Sequence, residues 1–288
     1  MKITGKPKWK TYKNDKKSLF LFLIVYLAMF LTMATLLFVI FYILIKGVPH
    51  LTPELFERNY TSENVSLMPA LINTLFMTAL SLLFAVPVGI GAAVYLVEYA
   101  KRGNKLVGLI GMTAETLSGI PSIVYGLFGA LFFVKFLGFG LSLLSGALTL
   151  SIMILPVIMR TTEEALRAVP DSYREGSFGL GAGKLRTVFR VVLPSAVPGI
   201  FSGIILGIGR IVGESAALIF TAGTVAEPAA SIFDSARTLS VHMYSIAGEG
   251  LYLDQTYATA VVLLAVVIVI NALSGCVAKR FGGIKANG

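Results

Sequence analysis

The chain has 288 residues, 56% of them hydrophobic and 14% charged, with a mean hydropathy of +0.83. That composition excludes an ordinary soluble domain and fits a polytopic membrane protein. The net charge of +9 could suggest nucleic acid, but in a membrane protein basic residues are read first for their placement across the bilayer; one cysteine, Cys276, excludes an internal disulfide.

Residues 1–17 form a basic tail with seven lysines and lead into an apolar run over residues 18–45. The run is too long for a signal-peptide core and lacks a small-residue cleavage site, so it is predicted to remain as a first span. At about 1.5 Å per residue it exceeds a hydrocarbon core of roughly 30 Å, so it tilts or projects. Residues 46–68 are polar and are placed outside; Asn59 and Asn64 there match the glycosylation triplet but read as plain surface asparagines. The core domain, 69–278, holds five further spans. A second runs from Pro69 to Val97 and is followed by the basic cluster Lys101, Arg102 and Lys105. A third runs from Val107 to Phe136 with Pro121 in its middle, and a short turn at Gly138 and Gly140 leads to a fourth from Leu141 to Ile158. After a loop over 161–193 come a fifth span from Val197 to Phe220, a polar segment over 221–257, a sixth span from Ala258 to Ala278 and a tail over 279–288.

The expected class is therefore an all-α polytopic membrane protein with six transmembrane helices and both termini cytoplasmic. Nineteen of the 24 basic residues fall on the side of the termini, four fall on the opposite side, and one, Arg210, lies within a span. The bias fixes the orientation and accounts for the net charge without nucleic acid.

In the loop, Asp171 and Ser172 supply helix-start chemistry, and Gly179, Gly181 and Gly183 are predicted to end that helix after about two turns. Leu185, Val188, Phe189 and Val192 then recur at helical spacing in a short basic helix, and Pro194 admits the chain to the next apolar run. A short helix, an elbow and a second helix thus protrude on the cytoplasmic side. A nucleotide-loop reading of Lys184 fails, because Phe178 and Leu185 occupy the positions such a loop needs for Gly and Ser/Thr.

In the fifth span, Gly199, Gly203, Gly207, Arg210 and Glu214 fall within one arc of about 80° at about 100° per residue. Glycines at spacing four let another helix approach closely in lipid. An ionised arginine inside a span costs roughly 2.5–3.5 kcal/mol on insertion scales, so Arg210 is expected to face a pathway or a partner charge. Two readings stand: a salt bridge from Arg210 to Glu214, or a pathway for an oxyanion. Arg before Glu at four-residue spacing is the weaker helical pairing, whereas a guanidinium fork matches phosphate oxygens. Glu214 could accept the proton of a hydrogen phosphate. Glu115 reads as a solvated acid, and His242 and His50 have no cysteine nearby to make a metal site.

Glu175-Gly176-Ser177, Gly181 and the ending Val191-x-Leu193-Pro194 match the offsets of the signature loop of ABC-importer permease subunits, which this segment resembles, with Gly176, Ser177 and Val191 as small departures. Asn73 to Tyr99, Ser118 to Gly129 and Gly209 to Leu218 resemble more narrowly the permeases of phosphate-specific ABC importers, and the short N-terminal region resembles the shorter of their two sister subunits. The resemblance implies a type I importer permease fold, with ATPase coupling through Glu175, Gly176, Ser177, Gly181, Leu193 and Pro194. It places phosphate passage at Arg210 and Glu214. It implies a second permease subunit, two copies of a cytoplasmic ATPase, an external phosphate-binding protein, and ATP and Mg held on the ATPase rather than on this chain. The remaining alternatives are the same machine for sulfate or molybdate, and an ATPase-independent channel or scaffold.

Overall fold

The computed structural model describes residues 16–101 and 105–282. Most of the basic tail, Arg102 in the basic cluster, and Lys285 lie outside the described residues. Among the described residues all regular structure is helical. Five helices are long and apolar enough to cross a membrane, and six spans result if one sharply bent pair counts as one.

Helix α1, Lys16–Gly47, is apolar all round, and none of its apolar window is buried within the chain. Such a helix belongs against lipid. It leans on the last helix near its end, where Tyr42 meets Tyr257 edge-on with ring centroids 5.8 Å apart. In the external loop that follows, Asn64 is a structural knot: its side chain accepts from the Thr61 and Ser66 amides and donates to Glu57 and Asn59.

Helix α2, Met68–Val94, continues through a π-helical turn, Tyr95–Tyr99. Its buried face carries Asn73, Met77, Ser81, Ala85, Gly89 and Ala93 at spacing four, so small residues set its distance from the next long helix. That helix, α5, Leu143–Arg167, is the central pillar: Leu150, Met153, Ile154, Ile158 and Leu166 are fully buried, and the Ser142 hydroxyl caps its start by accepting from the Ser145 amide at 3.1 Å. A Cβ on Gly89 would lie 2.9 Å from Ile158, and Ser151 of α5 donates to the Ser81 carbonyl of α2. The pillar runs well past Ile158 into what the sequence presented as loop. Its extension stays helical because Thr162 and Leu166 keep the buried face, while Arg160 with Glu164 and Arg167 with Glu163 pair along the exposed one.

The third span is not straight. Helix α3, Lys105–Ser118, and helix α4, Ser122–Gly129 with its π-helical continuation Ala130–Phe136, meet at 103°. Pro121 lacks the amide a continuous helix needs and drives Ile120 out of helical conformation. The Tyr125 hydroxyl donates to the Leu117 carbonyl at 2.7 Å, across the break.

The fifth span also differs at both ends from Val197 to Phe220. Helix α6, Asp171–Gly179, is followed by α7, Lys184–Thr187, a π-helical stretch, Val188–Val192, and α8, Leu193–Val212, with the last three running as one rod. Pro194 sits in the first turn of α8, where its missing amide costs little, so the chain does not break there. Gly213 then ends α8, and after Ser215 a short helix, α9, Ala216–Thr221, resumes. The segment over 221–257 contains α10, Leu239–Glu249, and α11, Leu253–Gly282, completes the chain. The halves beyond the two breaks pack on each other: a Cβ on Gly126 would lie 2.7 Å from the Ala217 Cα.

Candidate functional site

Arg210 lies in the last turn of α8 and is half-buried. Glu214 is not on the same helix. Because Gly213 closes α8, Glu214 falls in the break, and the face carrying the glycines stops short of it. No ion pair within 4.0 Å joins Arg210 to Glu214; the arginine ion pairs among the described residues involve Arg160, Arg167 and Arg174. The salt-bridge reading is thereby removed.

Glu214 is 9% exposed, and its carboxylate accepts from the Ala217 amide at 3.1 Å, capping the first turn of α9. Its carbonyl, freed by the break, accepts from the Ser240 hydroxyl of α10. Ser122, Gly213, Glu214, Ser215 and Tyr244 line a cavity of about 480 Å³ where the starts of α4 and α9 converge. Arg210 stands one turn before it, in electrostatic reach of the Tyr125 hydroxyl. The cavity therefore collects two helix starts and one carboxylate, with a cation one turn away.

The glycines of α8 meet the pillar. Cβ atoms on Gly199 and Gly203 would collide with Ala165 and Thr161, whereas one on Gly207 would make ordinary contact with Ile154 at 3.7 Å. At the opposite end, α6 ends after nine residues in an elbow where Gly181 has φ of 80°, a conformation that suits glycine, and the amides of Gly181 and Ala182 bond back to Phe178 and Ser177. Glu175 and Gly176 are exposed, as are the large apolar side chains of Tyr173, Phe178, Leu180 and Leu185. Ser177 faces inward to bond Thr187 of α7, while Leu193 and Pro194 open α8.

Two polar residues organise the external side: Asn73, which the sequence did not single out, and His242, which the sequence raised only as a metal ligand. Asn73 is fully buried on α2 and ties the Glu227 and Arg237 carbonyls and the Ala229 amide. A polar residue on an otherwise small and apolar stripe was the available signal. His242 of α10 is buried against Arg237, whose Nη1 donates to His242 Nδ1 at 3.3 Å, and against the Tyr60 ring. Burial first, and the neighbouring Arg237 second, push its pKa down to about 4, with the Val65 backbone acting the other way. Among the described residues no group of three metal-binding side chains occurs.

An all-helical membrane chain with a Gly-hinged cytoplasmic elbow, broken spans and an intramembrane arginine defines a transport permease. Residues 85–282 match the family described as the inner membrane component of binding-protein-dependent transport systems, and the chain belongs to that family. It is thus a multi-pass inner-membrane permease subunit of an ABC importer, working with an ATPase and a substrate-binding protein. The probable ABC transporter permease protein YqgI of Bacillus subtilis is 37% identical over 228 residues, covering 74% of this chain and 77% of that one. The phosphate transport system permease protein PstA 1 of Mycobacterium tuberculosis is 44% identical over 154 residues, covering 54% of this chain; the match spans about half, 50%, of that relative. Among solved structures, a permease chain of a bacterial alginate ABC transporter aligns with TM-score 0.67 at 15% identity, covering 94% of this chain and 98% of that one. The inward-facing MetNI methionine ABC transporter aligns with TM-score 0.57 at 20% identity, covering 74% and 93%.

Proposed function

We propose that this chain is the transmembrane subunit of an ATP-driven phosphate importer, the counterpart of the shorter of two sister permeases. Relatives named as PstA phosphate permeases support the substrate, at 44% identity in M. tuberculosis and 36% in Pasteurella multocida. The observation that carries the reading is Arg210, an intramembrane guanidinium with no carboxylate partner among the described residues, one turn before a cavity formed by two broken spans. Its fork is free for a tetrahedral oxyanion, whose oxygens match two parallel N–H donors. Glu214 uses one oxygen to cap α9, leaving the other to accept the proton of a hydrogen phosphate, a proton that sulfate lacks.

In this reading the chain pairs with a homologous permease to enclose the pathway, and an external phosphate-binding protein delivers substrate to the side carrying α10. The elbow around Glu175, Gly176, Ser177 and Gly181, carried into α8 through Leu193 and Pro194, docks on one of two ATPase copies. ATP and Mg belong to those copies; the chain itself is non-catalytic and binds no cofactor. ATP-driven closure displaces the elbow and switches access between two packed arrangements. The test is uptake of radiolabelled phosphate by proteoliposomes holding the complete complex, with sulfate and molybdate as competitors. Phosphate uptake unaffected by either supports the assignment, and faster uptake of sulfate or molybdate overturns it.

A further inference from the structure

Arg174 sits in the first turn of α6 beside Glu175, yet it is turned inward, with its side chain 15% exposed. A guanidinium has five N–H donors, and here all five are engaged. Nε and Nη2 donate to Oε1 of Glu98 at 3.1 and 2.8 Å. Nη1 donates to the Val169 carbonyl at 2.8 Å and to Asp171 Oδ1 at 3.1 Å, and Nη2 donates also to the Leu166 carbonyl at 2.9 Å. Glu98, 8% exposed, belongs to the π-helical turn that ends the second span; Leu166 belongs to the last turn of the pillar α5. One side chain therefore joins the starts and ends of three elements.

Packing already joins the ends of α2 and α5, where Val94, Leu96, Met159 and Leu166 share one apolar cluster, but it does not join α6 to them. Helix α6 contains no buried residue, so apolar contacts cannot hold it against the membrane domain, and its other side-chain anchor is the Ser177 to Thr187 bond towards α7. The pillar in turn touches α8 where Thr161 and Ala165 meet Gly203 and Gly199, within about a turn and a half of Leu166.

We propose that Arg174 is a positioning residue that clamps α6 to the ends of α2 and α5, so that displacement of α6 by the ATPase moves these spans as one body. The proposal rests on the docking reading of the elbow given above. A helix hinged on Gly181 and held by hydrogen bonds alone would otherwise swing without carrying the pillar. Lysine cannot replace the clamp, since an ammonium has three donors and no planar fork to reach three elements together. Exchanging the charges cannot replace it either, because a glutamate at 174 has nothing to donate to the Leu166 and Val169 carbonyls.

The experiment uses the complete complex of both permeases, the ATPase and the binding protein in proteoliposomes, and reads phosphate carried per ATP hydrolysed beside complex yield and melting point. The variants are Arg174→Lys, the charge exchange Glu98→Arg with Arg174→Glu, and the apolar pair Glu98→Met with Arg174→Met, which leaves no buried charge unpaired. The clamp predicts that the apolar pair assembles with near-wild-type yield and melting point yet carries about tenfold less phosphate per ATP, within the range usual for coupled sites. Arg174→Lys falls with it and the charge exchange is not rescued. A wild-type ratio in the apolar pair or in Arg174→Lys overturns the proposal, since the pair would then be a local strut. A wild-type complex whose ATPase does not respond to the phosphate-loaded binding protein overturns the docking reading itself, and this proposal with it.

Discussion

Gly203 of α8 lies directly on Thr161 of α5, so close that a Cβ at 203 would overlap the threonine hydroxyl. That hydroxyl already donates to the Val157 carbonyl at 2.8 Å, so it is not free to rotate away without losing a hydrogen bond. One turn further along, Gly207 has ordinary clearance from Ile154. The two glycines should therefore respond differently to the same added methyl. Gly203→Ala is expected to destabilise the detergent-solubilised complex by about 1–3 kcal/mol through overpacking, and Gly203→Leu by more, whereas Gly207→Ala should be close to neutral. Melting points of the three variants decide it; equal effects at 203 and 207 would show that the contact with Thr161 does not set the helix spacing.

Gly181 marks the elbow with φ of 80° and open space around it, so a larger side chain there meets backbone strain rather than a clash. Leu in that conformation costs about 1–2 kcal/mol, enough to redistribute an elbow held by few bonds without unfolding the spans. Gly181→Leu and Glu175→Lys should leave insertion and yield unchanged while lowering uptake and substrate-stimulated ATPase activity together. Wild-type values for both activities in either variant would refute docking through this elbow.

The membrane class, the number of spans, the elbow and the glycine face were all legible because each rests on local pattern: long apolar runs, basic bias, spacing four. What escaped was set by interruptions whose outcome depends on neighbours. Pro121 and Pro194 look alike in sequence, yet one sits at a 103° bend and the other opens a continuous rod, because only Pro121 follows a Gly-Ile pair that can leave the helix and has Tyr125 to take up an exposed carbonyl. Arg210 and Glu214 share an arc only if α8 continues, and Gly213 ends it between them. Arg174 could be counted as a basic residue, but its partners lie in three separate elements that the order of residues does not bring together.

His242 gives the external side a pH dependence. Its folded pKa is about 4 against an ordinary value of 6.5, so at pH between these the unfolded state binds the extra proton and the folded state does not. The stabilisation is complete above about pH 6.5 and is lost as pH falls towards 4, with an upper limit of about 3 kcal/mol. Wild-type protein should melt lower at pH 5 than at pH 7, and His242→Gln should flatten that difference while lowering the melting point at pH 7. An equal pH response in both proteins would assign the acid sensitivity to other groups.

Arg210 carries the last prediction, because the structure separates it from the charge that could have explained it away. Were it a strut to Glu214, removing both charges as Arg210→Met with Glu214→Met should restore what either single change loses. The two side chains form no ion pair, and Glu214 is engaged at the start of α9. Loss of Glu214 therefore subtracts a cap of about 1 kcal/mol and cannot compensate for Arg210. Arg210→Lys keeps the charge but loses the planar fork, so it too should fail to hold an oxyanion by two bonds. The expected outcome is that Arg210→Met, Arg210→Lys and the double variant assemble with normal yield and carry phosphate at least about tenfold more slowly, a loss of about 1.4 kcal/mol or more in transition-state stabilisation. Radiolabelled phosphate uptake at matched protein level measures it. Recovery in the double variant to near-wild-type rates would restore the strut reading, and full activity in Arg210→Lys would reduce the arginine to a diffuse positive charge.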